Sequence, residues 1–103
     1  MRRARFSPKA ERDLDGICPY IAAQNPGAAQ CVRRSILATA DFLADNSELG
    51  GQILKGPARH AQTRWFVVPR FRNYLIFYRP FQETIAVIRI LHAAQDWTRH
   101  FDP

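Results

Sequence analysis

The stretch FRNYLIFYRP, residues 71–80, is a short aromatic run with an arginine near each end, and it stops at a proline. Both faces of this segment are apolar when it is extended, because one carries Tyr74, Ile76 and Tyr78 and the other carries Leu75 and Phe77. A strand with two apolar faces is covered on both sides. Residues 74–79 therefore predict a central strand of a sheet.

Two further runs rich in β-branched and aromatic residues flank this strand, at residues 63–68 and 84–91. The connectors, residues 69–72 and 80–83, are too short for anything but hairpins. The second half of the chain therefore predicts an antiparallel meander of three strands.

Two helix starts precede the meander, because Ser7-Pro8 and Asn25-Pro26 each combine an N-cap residue with proline at the first helical position. Apolar residues recur at helical spacing after each start, at Ala10, Leu14, Ile17 and Ile21, and then at Ala29, Val32, Ile36, Ala40 and Leu43. We expect Pro19 to kink or end the first helix near Ile17 or Cys18. The second pattern predicts a helix over residues 27–45, and the short connection predicts an antiparallel helix hairpin.

The predicted fold is α+β in the order β-α-α-β-β-β, with the helix hairpin packed on a small antiparallel sheet. Residues 2–6 supply the first strand, residues 46–62 indicate a turn and a basic loop, and a short helical tail begins near Asp96. At 103 residues and 47% hydrophobic content, the chain predicts a single domain over residues 1–103 with a core of its own.

Several classes of protein are disfavoured. No apolar run approaches the roughly 18 residues that span a bilayer, and the charged first residues lack the apolar centre of a signal peptide, which predicts a cytoplasmic protein. Cys18 and Cys31 lack the spacing of a metal knuckle or redox motif, so we expect buried free thiols. The histidines are not at ligand spacing either. We expect no metal and no cofactor.

The net charge of +6 is concentrated in the second half of the chain. Residues 50–103 carry eight Lys or Arg against three Asp or Glu, and residues 49–82 contain no acid at all. Such a basic surface suits either phosphate backbones or an acidic protein partner. Arg89 is the least expected of these cations, because it interrupts an apolar strand face. It requires a carboxylate of the fold, an anion or an open cleft.

Four segments in this order, SPKAERDLDGI (7–17), IAAQNPGAA (21–29), FRNYLIFYRP (71–80) and VIRILHAAQDW (87–97), resemble the ParE branch of the RelE/ParE superfamily of bacterial toxins. The resemblance covers nearly the whole chain, and it implies the same two-helix hairpin on an antiparallel sheet. It also implies a type II toxin that a cognate, ParD-like antitoxin neutralises. Two positions depart from the family pattern, since Ala93 and Gln95 stand where members often have glycine and arginine.

The resemblance leaves two activities open. Gyrase poisoning, which requires binding and no turnover, is associated with the ParE branch, whereas the RelE branch cuts messenger RNA on the ribosome. RNA cleavage needs a general base, a general acid and cations. Arg64, Arg89 and His92 are the candidate nuclease residues, but no tyrosine follows the last strand. His92 alternatively fixes the C-terminal turn by hydrogen bonds. We expect a topoisomerase inhibitor.

An acidic amphipathic antitoxin segment that folds on binding would suit an apolar, basic groove between the helix hairpin and the sheet. The predicted partner-binding residues are Arg64, Arg70, Arg72, Arg79, Trp97 and Phe101. Three alternatives to the gyrase inhibitor stay open: a ribosome-dependent RNA nuclease, a plain nucleic-acid-binding module, and a decayed toxin that only binds its antitoxin.

Overall fold

The computed structural model describes residues 3–53 and 62–93. Its elements are β1 (Arg5–Phe6), α1 (Pro8–Gln24), α2 (Pro26–Asp45), β2 (Gly51–Gln52), β3 (Arg64–Val67), β4 (Tyr74–Phe81) and β5 (Thr84–His92). The predicted α+β class and the helix hairpin on a sheet are confirmed. Strand β2 is additional, because it lies in the segment that the sequence indicates as turn and loop. The expected tail helix from Asp96 lies outside the described residues.

Helix α1 begins where the capping signal predicts. The Ser7 hydroxyl accepts a hydrogen bond from the Ala10 N–H at 3.0 Å, and Pro8 occupies the first turn. The expected break near Ile17 or Cys18 is wrong, since α1 continues through Pro19 to Gln24. The alternative, a kink at the same place, stays a prediction. Pro19 is exposed, so the carbonyl group that its ring deprives of a donor can bond to water instead.

A single residue joins the two helices. Asn25 ends α1 with its N–H donating to the Ile21 carbonyl at 2.7 Å, and its side chain accepts from the Ala28 N–H at 3.2 Å to begin α2. One residue leaves the chain no room to travel away from α1. The helices therefore pack against each other as the predicted hairpin.

The sheet has the order β1-β5-β4-β3-β2, and β4 lies at its centre as predicted. Strands β2 to β5 pair antiparallel in chain order, but β1 pairs parallel with β5. The sheet is therefore mixed, which corrects the expectation of an antiparallel one. The helix hairpin connects β1 to the rest of the sheet, and such a crossover is what a parallel strand requires.

The two faces of the sheet carry separate apolar clusters. Tyr74, Ile76 and Tyr78 of β4 join the stripes of α1 and α2 in the main core. The alternate residues, Leu75 and Phe77, form a second cluster with Leu91 on the face turned away from the helices. Residues 74–78 are all buried, as two covered faces predict.

The sequence predicts that both cysteines are buried and that no segment spans a membrane. Cys31 is exposed and Cys18 is partly buried, so the expectation of buried thiols is wrong for Cys31. Cys31 directly precedes the buried Val32, and one residue is a rotation of roughly 100° around a helix. Neither helix in the described part of the chain has the length and apolar character that a membrane crossing requires.

Candidate partner-binding groove

The loop that follows α2 is held against the sheet by one buried tyrosine. The Tyr78 hydroxyl accepts a hydrogen bond from the Gly50 N–H at 2.8 Å and donates to the Ser47 carbonyl at 2.9 Å. Burial raises the pKa of Tyr78 above 10.0, against the opposing influence of the Gly50 N–H and the Arg64 charge. The neutral hydroxyl can therefore keep both hydrogen bonds at physiological pH.

Glycine is required where this loop meets β3. A Cβ at Gly50 would lie 2.5 Å from the Tyr78 hydroxyl and 2.8 Å from the Trp65 carbonyl oxygen. A Cβ at Gly51 would lie 2.6 Å from the Trp65 indole ring. The Gly50-Gly51 pair thus lets the loop and the indole approach each other closely.

An open groove of about 500 Å³ lies beside this contact, and we call it the Trp65 groove. It is lined by Leu49, Gly51, Trp65, Phe66, Val67, Pro69, Arg70 and Arg72. Leu49 is 54% exposed and Trp65 is 37% exposed, which is high for large apolar side chains. The register of β2 with β3 reaches only Arg64 and Trp65, so the rest of β3 extends past β2 into the groove.

The turn between β3 and β4 brings two arginines to the rim of the groove. Phe71 packs on the main core, whereas its neighbours Arg70 and Arg72 are exposed. Hydrogen bonds from the Phe71 N–H to Val68 and from the Tyr74 N–H to Phe71 close the turn. Arg70 has a φ of 71°, a left-handed conformation that disfavours residues with a Cβ.

The other two predicted partner-binding arginines of the described chain do not line the groove. Arg64 Nη1 donates to the carbonyl oxygens of Gly50 at 2.7 Å and Glu48 at 3.3 Å, so it braces the loop that carries Leu49. Arg79 is exposed near the far end of β4, in register with Ala86. Arg70 and Arg72 are therefore the pair that the fold brings together.

Arg89 forms the carboxylate pair that was one of its two interpretations. Its Nε and Nη2 donate to the two carboxylate oxygens of Asp13 at 2.8 and 3.0 Å. This side-chain hydrogen bonding raises the pKa of Arg89 above its ordinary value, although burial opposes the shift. The Ile90 N–H donates to the same carboxylate at 2.9 Å. Asp13 thereby ties α1 to β5.

His92 ends β5 and is partly buried. Its ring contacts the Tyr74 ring edge-on, with centroids 5.2 Å apart and an interplanar angle of 85°. The next residue, Ala93, donates its N–H to the Asn73 carbonyl at 2.6 Å and continues the link between β5 and the β3–β4 turn. His92 thus closes one end of the sheet. The predicted helix partner around Asp96 lies outside the described residues.

Comparison with known proteins decides the family. The family model described as the ParE toxin of the type II toxin-antitoxin system, parDE, matches residues 4–97. This chain belongs to the ParE toxin family. It is 32% identical to the protein Y4kP of Sinorhizobium fredii over 96 residues, which cover 93% of each chain. It is also 27% identical over 97 residues to Toxin RelE3 of Caulobacter vibrioides, covering 92% of this chain and 98% of that one.

A solved structure supports the fold of this ParE-family toxin. The chain resembles a protein of the chromosomal ParDE TA system from P. aeruginosa with a TM-score of 0.70. The match covers 89% of this chain and 96% of that chain at 20% identity. The helix hairpin on a sheet is thus an architecture that this toxin shares with a solved structure.

The candidate nuclease residues are dispersed in this ParE-family toxin. Arg64 turns to the loop after α2, Arg89 turns to Asp13 on α1, and His92 lies at the end of β5 against Tyr74. No group of three or more metal-ligating His, Cys, Asp or Glu side chains occurs within residues 3–53 and 62–93. Each of the three candidate nuclease residues therefore contacts a different part of the fold.

Sequence reasoning missed the apolar half of the groove. Leu49 and Trp65 carried no recognised motif, although a tryptophan in the first strand of the predicted meander was an available signal. The predicted partner residues Trp97 and Phe101, and the departure at Gln95, lie outside the described residues.

Proposed function

We propose that this ParE-family toxin is neutralised by an acidic, amphipathic antitoxin segment seated in the Trp65 groove, and that the free toxin binds and inhibits DNA gyrase. One observation carries the first part. The groove combines exposed apolar side chains with two arginines on its rim, and its volume of about 500 Å³ suits the side chains of a peptide.

The apolar floor would supply most of the affinity. Leu49 and Trp65 are exposed although both are large and apolar, and covering such surface contributes roughly 25 cal/mol for each Å². A tryptophan in a concave site is a common centre of binding energy. A segment with apolar residues on one face therefore matches the groove.

The charge of the rim selects the polar face of that segment. Within the part of the chain that the structure describes, neither Arg70 nor Arg72 forms a salt bridge. Arginine binds carboxylates through two parallel hydrogen bonds, so Asp or Glu residues of the antitoxin would pair with this rim. Arg64 would act indirectly by holding the loop of Leu49, and contacts by Arg79, Trp97 and Phe101 stay predictions.

Family membership supports the second part of the proposal. Gyrase poisoning is the activity that the resemblance attaches to the ParE branch, and it requires a binding surface instead of a catalytic set. The separate contacts of Arg64, Arg89 and His92 favour a binder. Action on gyrase would place the toxin in the cytoplasm.

Messenger RNA cleavage is the second candidate function, because one relative that covers nearly the whole chain is named Toxin RelE3. For cleavage, Arg89 would have to contact RNA in addition to Asp13 or in place of it, and His92 would have to do so from its contact with Tyr74. The two activities differ in their substrates, so one set of assays separates them.

The test is supercoiling of plasmid DNA by purified gyrase with and without the toxin, run beside ribosome-bound messenger RNA. We expect inhibited supercoiling and intact RNA. Cut RNA with unaffected gyrase would establish the nuclease instead, and expression without harm and without either effect would identify a decayed toxin. Restoring arginine with Gln95→Arg would then show whether that departure is the cause.

The same assay tests the groove when the antitoxin encoded beside the toxin is added. The antitoxin should relieve inhibition by wild-type toxin, and Arg70→Glu with Arg72→Glu should raise the antitoxin concentration needed by about tenfold or more at low salt. Arg33→Glu with Arg34→Glu on α2 is the matched control, because it makes the same charge change away from the groove. Equal effects of the two double variants would contradict the proposal that the antitoxin binds in the Trp65 groove.

A further inference from the structure

A second basic surface lies beside the β4–β5 hairpin, apart from the Trp65 groove. Arg5 on β1 and Arg79 on β4 are both in register with Ala86 of the intervening strand β5. Adjacent strands are roughly 4.8 Å apart, so the backbones of the two arginines are separated by about 10 Å. Ala86, whose side chain is a single methyl group, stands between them.

Both arginines project from the same face of the sheet. Their neighbours Phe6, Val87 and Tyr78 belong to the main core under the helices. Successive side chains of a strand alternate between faces, so Arg5, Ala86 and Arg79 lie on the opposite face. Arg5 and Arg79 are exposed there.

The positive charge of this row is not neutralised within the described residues. The Arg5 guanidinium lies 5.8 Å from the centre of the Phe81 ring, a contact that orients the cation and keeps its charge. Neither Arg5 nor Arg79 forms a salt bridge in the described part of the chain. Phe81 is itself 37% exposed.

A polar cleft of about 440 Å³ adjoins the row. It is lined by Arg3, Arg5, Gln82, Glu83 and Thr84. The Thr84 hydroxyl donates to the Arg3 carbonyl at 2.8 Å, which fixes the start of the chain beside the hairpin. Among the residues that the structure describes, Glu83 is the one carboxylate lining this cleft, against the guanidinium groups of Arg3 and Arg5.

We propose that the row Arg5–Ala86–Arg79, with Arg3 and Phe81 beside it, binds the phosphodiester backbone of a nucleic acid. Backbone phosphates are recognised by separated cations and polar groups on an exposed surface, without an apolar pocket. An acidic helical peptide would need apolar anchors, which the Trp65 groove offers. Among the described residues, the one exposed large apolar side chain beside this row is Phe81. The proposal is independent of the Trp65 groove, which none of these residues lines.

The test is the affinity of the full-length toxin for a fluorescein-labelled duplex of about 20 base pairs, measured by anisotropy over a series of salt concentrations. Arg5→Ala with Arg79→Ala should weaken binding about tenfold at low salt and reduce the slope of log K against log salt by about 2. Arg79→Ala alone should reduce that slope by about 1, and it leaves β1 intact.

Arg33→Ala with Arg34→Ala is the control, because it removes the same charge from α2. Equal losses in the control and in the row variants would show that only net charge matters, and unchanged affinity of the row variants would also overturn the proposal. Polyglutamate of similar length separates the partner classes. If the row variants lose polyglutamate as strongly as duplex, the surface is one for acidic proteins.

Discussion

Single side chains decide the shape of the Trp65 groove. Tyr78 is fully buried, yet its hydroxyl reaches the loop after α2 and bonds to Ser47 and Gly50. Arg64 bonds to the same loop through the Gly50 carbonyl. Leu49 is exposed and lies between these anchors, so the position of the groove wall depends on Tyr78 and Arg64, which do not line the groove.

Tyr78→Phe should lower the free energy of unfolding by about 1–3 kcal/mol at neutral pH, because Gly50 and Ser47 lose their partner. The difference in the free energy of unfolding between wild type and Tyr78→Phe should also depend on pH. Burial raises the pKa of Tyr78 above 10.0, so the folded chain keeps a proton that the unfolded chain loses. This stabilisation is complete below about pH 10 and is lost as the pH rises through the folded-state pKa.

Urea unfolding of wild type and Tyr78→Phe at a series of alkaline pH values measures this effect. The gap between the two proteins should narrow above about pH 10, since phenylalanine has no proton to lose. A gap of constant size up to strongly alkaline pH would show that Tyr78 titrates alike in both states.

At the scale of elements, α1 completes an edge that β1 leaves unfinished. Strand β1 has two residues and covers β5 only at Ala86 and Val87. Beyond it, the Ser7 hydroxyl donates to the Ile88 carbonyl at 2.8 Å, and Asp13 accepts from the Ile90 N–H. Side chains of the helix thus replace the hydrogen bonds of a longer strand.

Asp13→Ala should therefore destabilise the fold by about 2–3 kcal/mol, because it leaves Arg89 and the Ile90 N–H without this acceptor. Asp15→Ala is the matched control. Asp15 is exposed and lies 3.8 Å from Arg33, an arrangement that contributes about 0.5 kcal/mol or less. Thermal and urea unfolding measure both variants, and equal losses would contradict the structural role of Asp13.

The main elements could be predicted from local sequence signals, whereas the contacts between residues far apart in the sequence could not. The caps at Ser7 and Asn25 and the two apolar faces of β4 could be read from neighbouring residues. Asp13 and Arg89 are 76 positions apart, and nothing in the spacing of either residue names its partner. Strand β2 was not predicted because its glycine is also typical of a turn. The end of α1 was predicted too early because an exposed proline can be accommodated within a helix.

At the scale of the whole molecule, the described residues present two separate surfaces on which exposed arginines form no salt bridge within the described chain. Arg70 and Arg72 lie in the β3–β4 turn beside an apolar groove, and Arg5 and Arg79 lie towards the β4–β5 hairpin on the sheet face turned away from the helices. The positions of these arginines depend on the register of the strands and on the face each side chain occupies, and neither can be predicted from the net charge. We infer that the first surface binds the antitoxin and the second binds phosphates.

Hydrogen–deuterium exchange of the toxin with and without its antitoxin tests the central claim, that the antitoxin sits in the Trp65 groove. We expect slowed exchange in the segments 49–53 and 65–72, with little change over the exposed face of α2 around Arg33 and Arg34. Protection confined to α2 or to the β4–β5 hairpin, with the two groove segments unchanged, would contradict it.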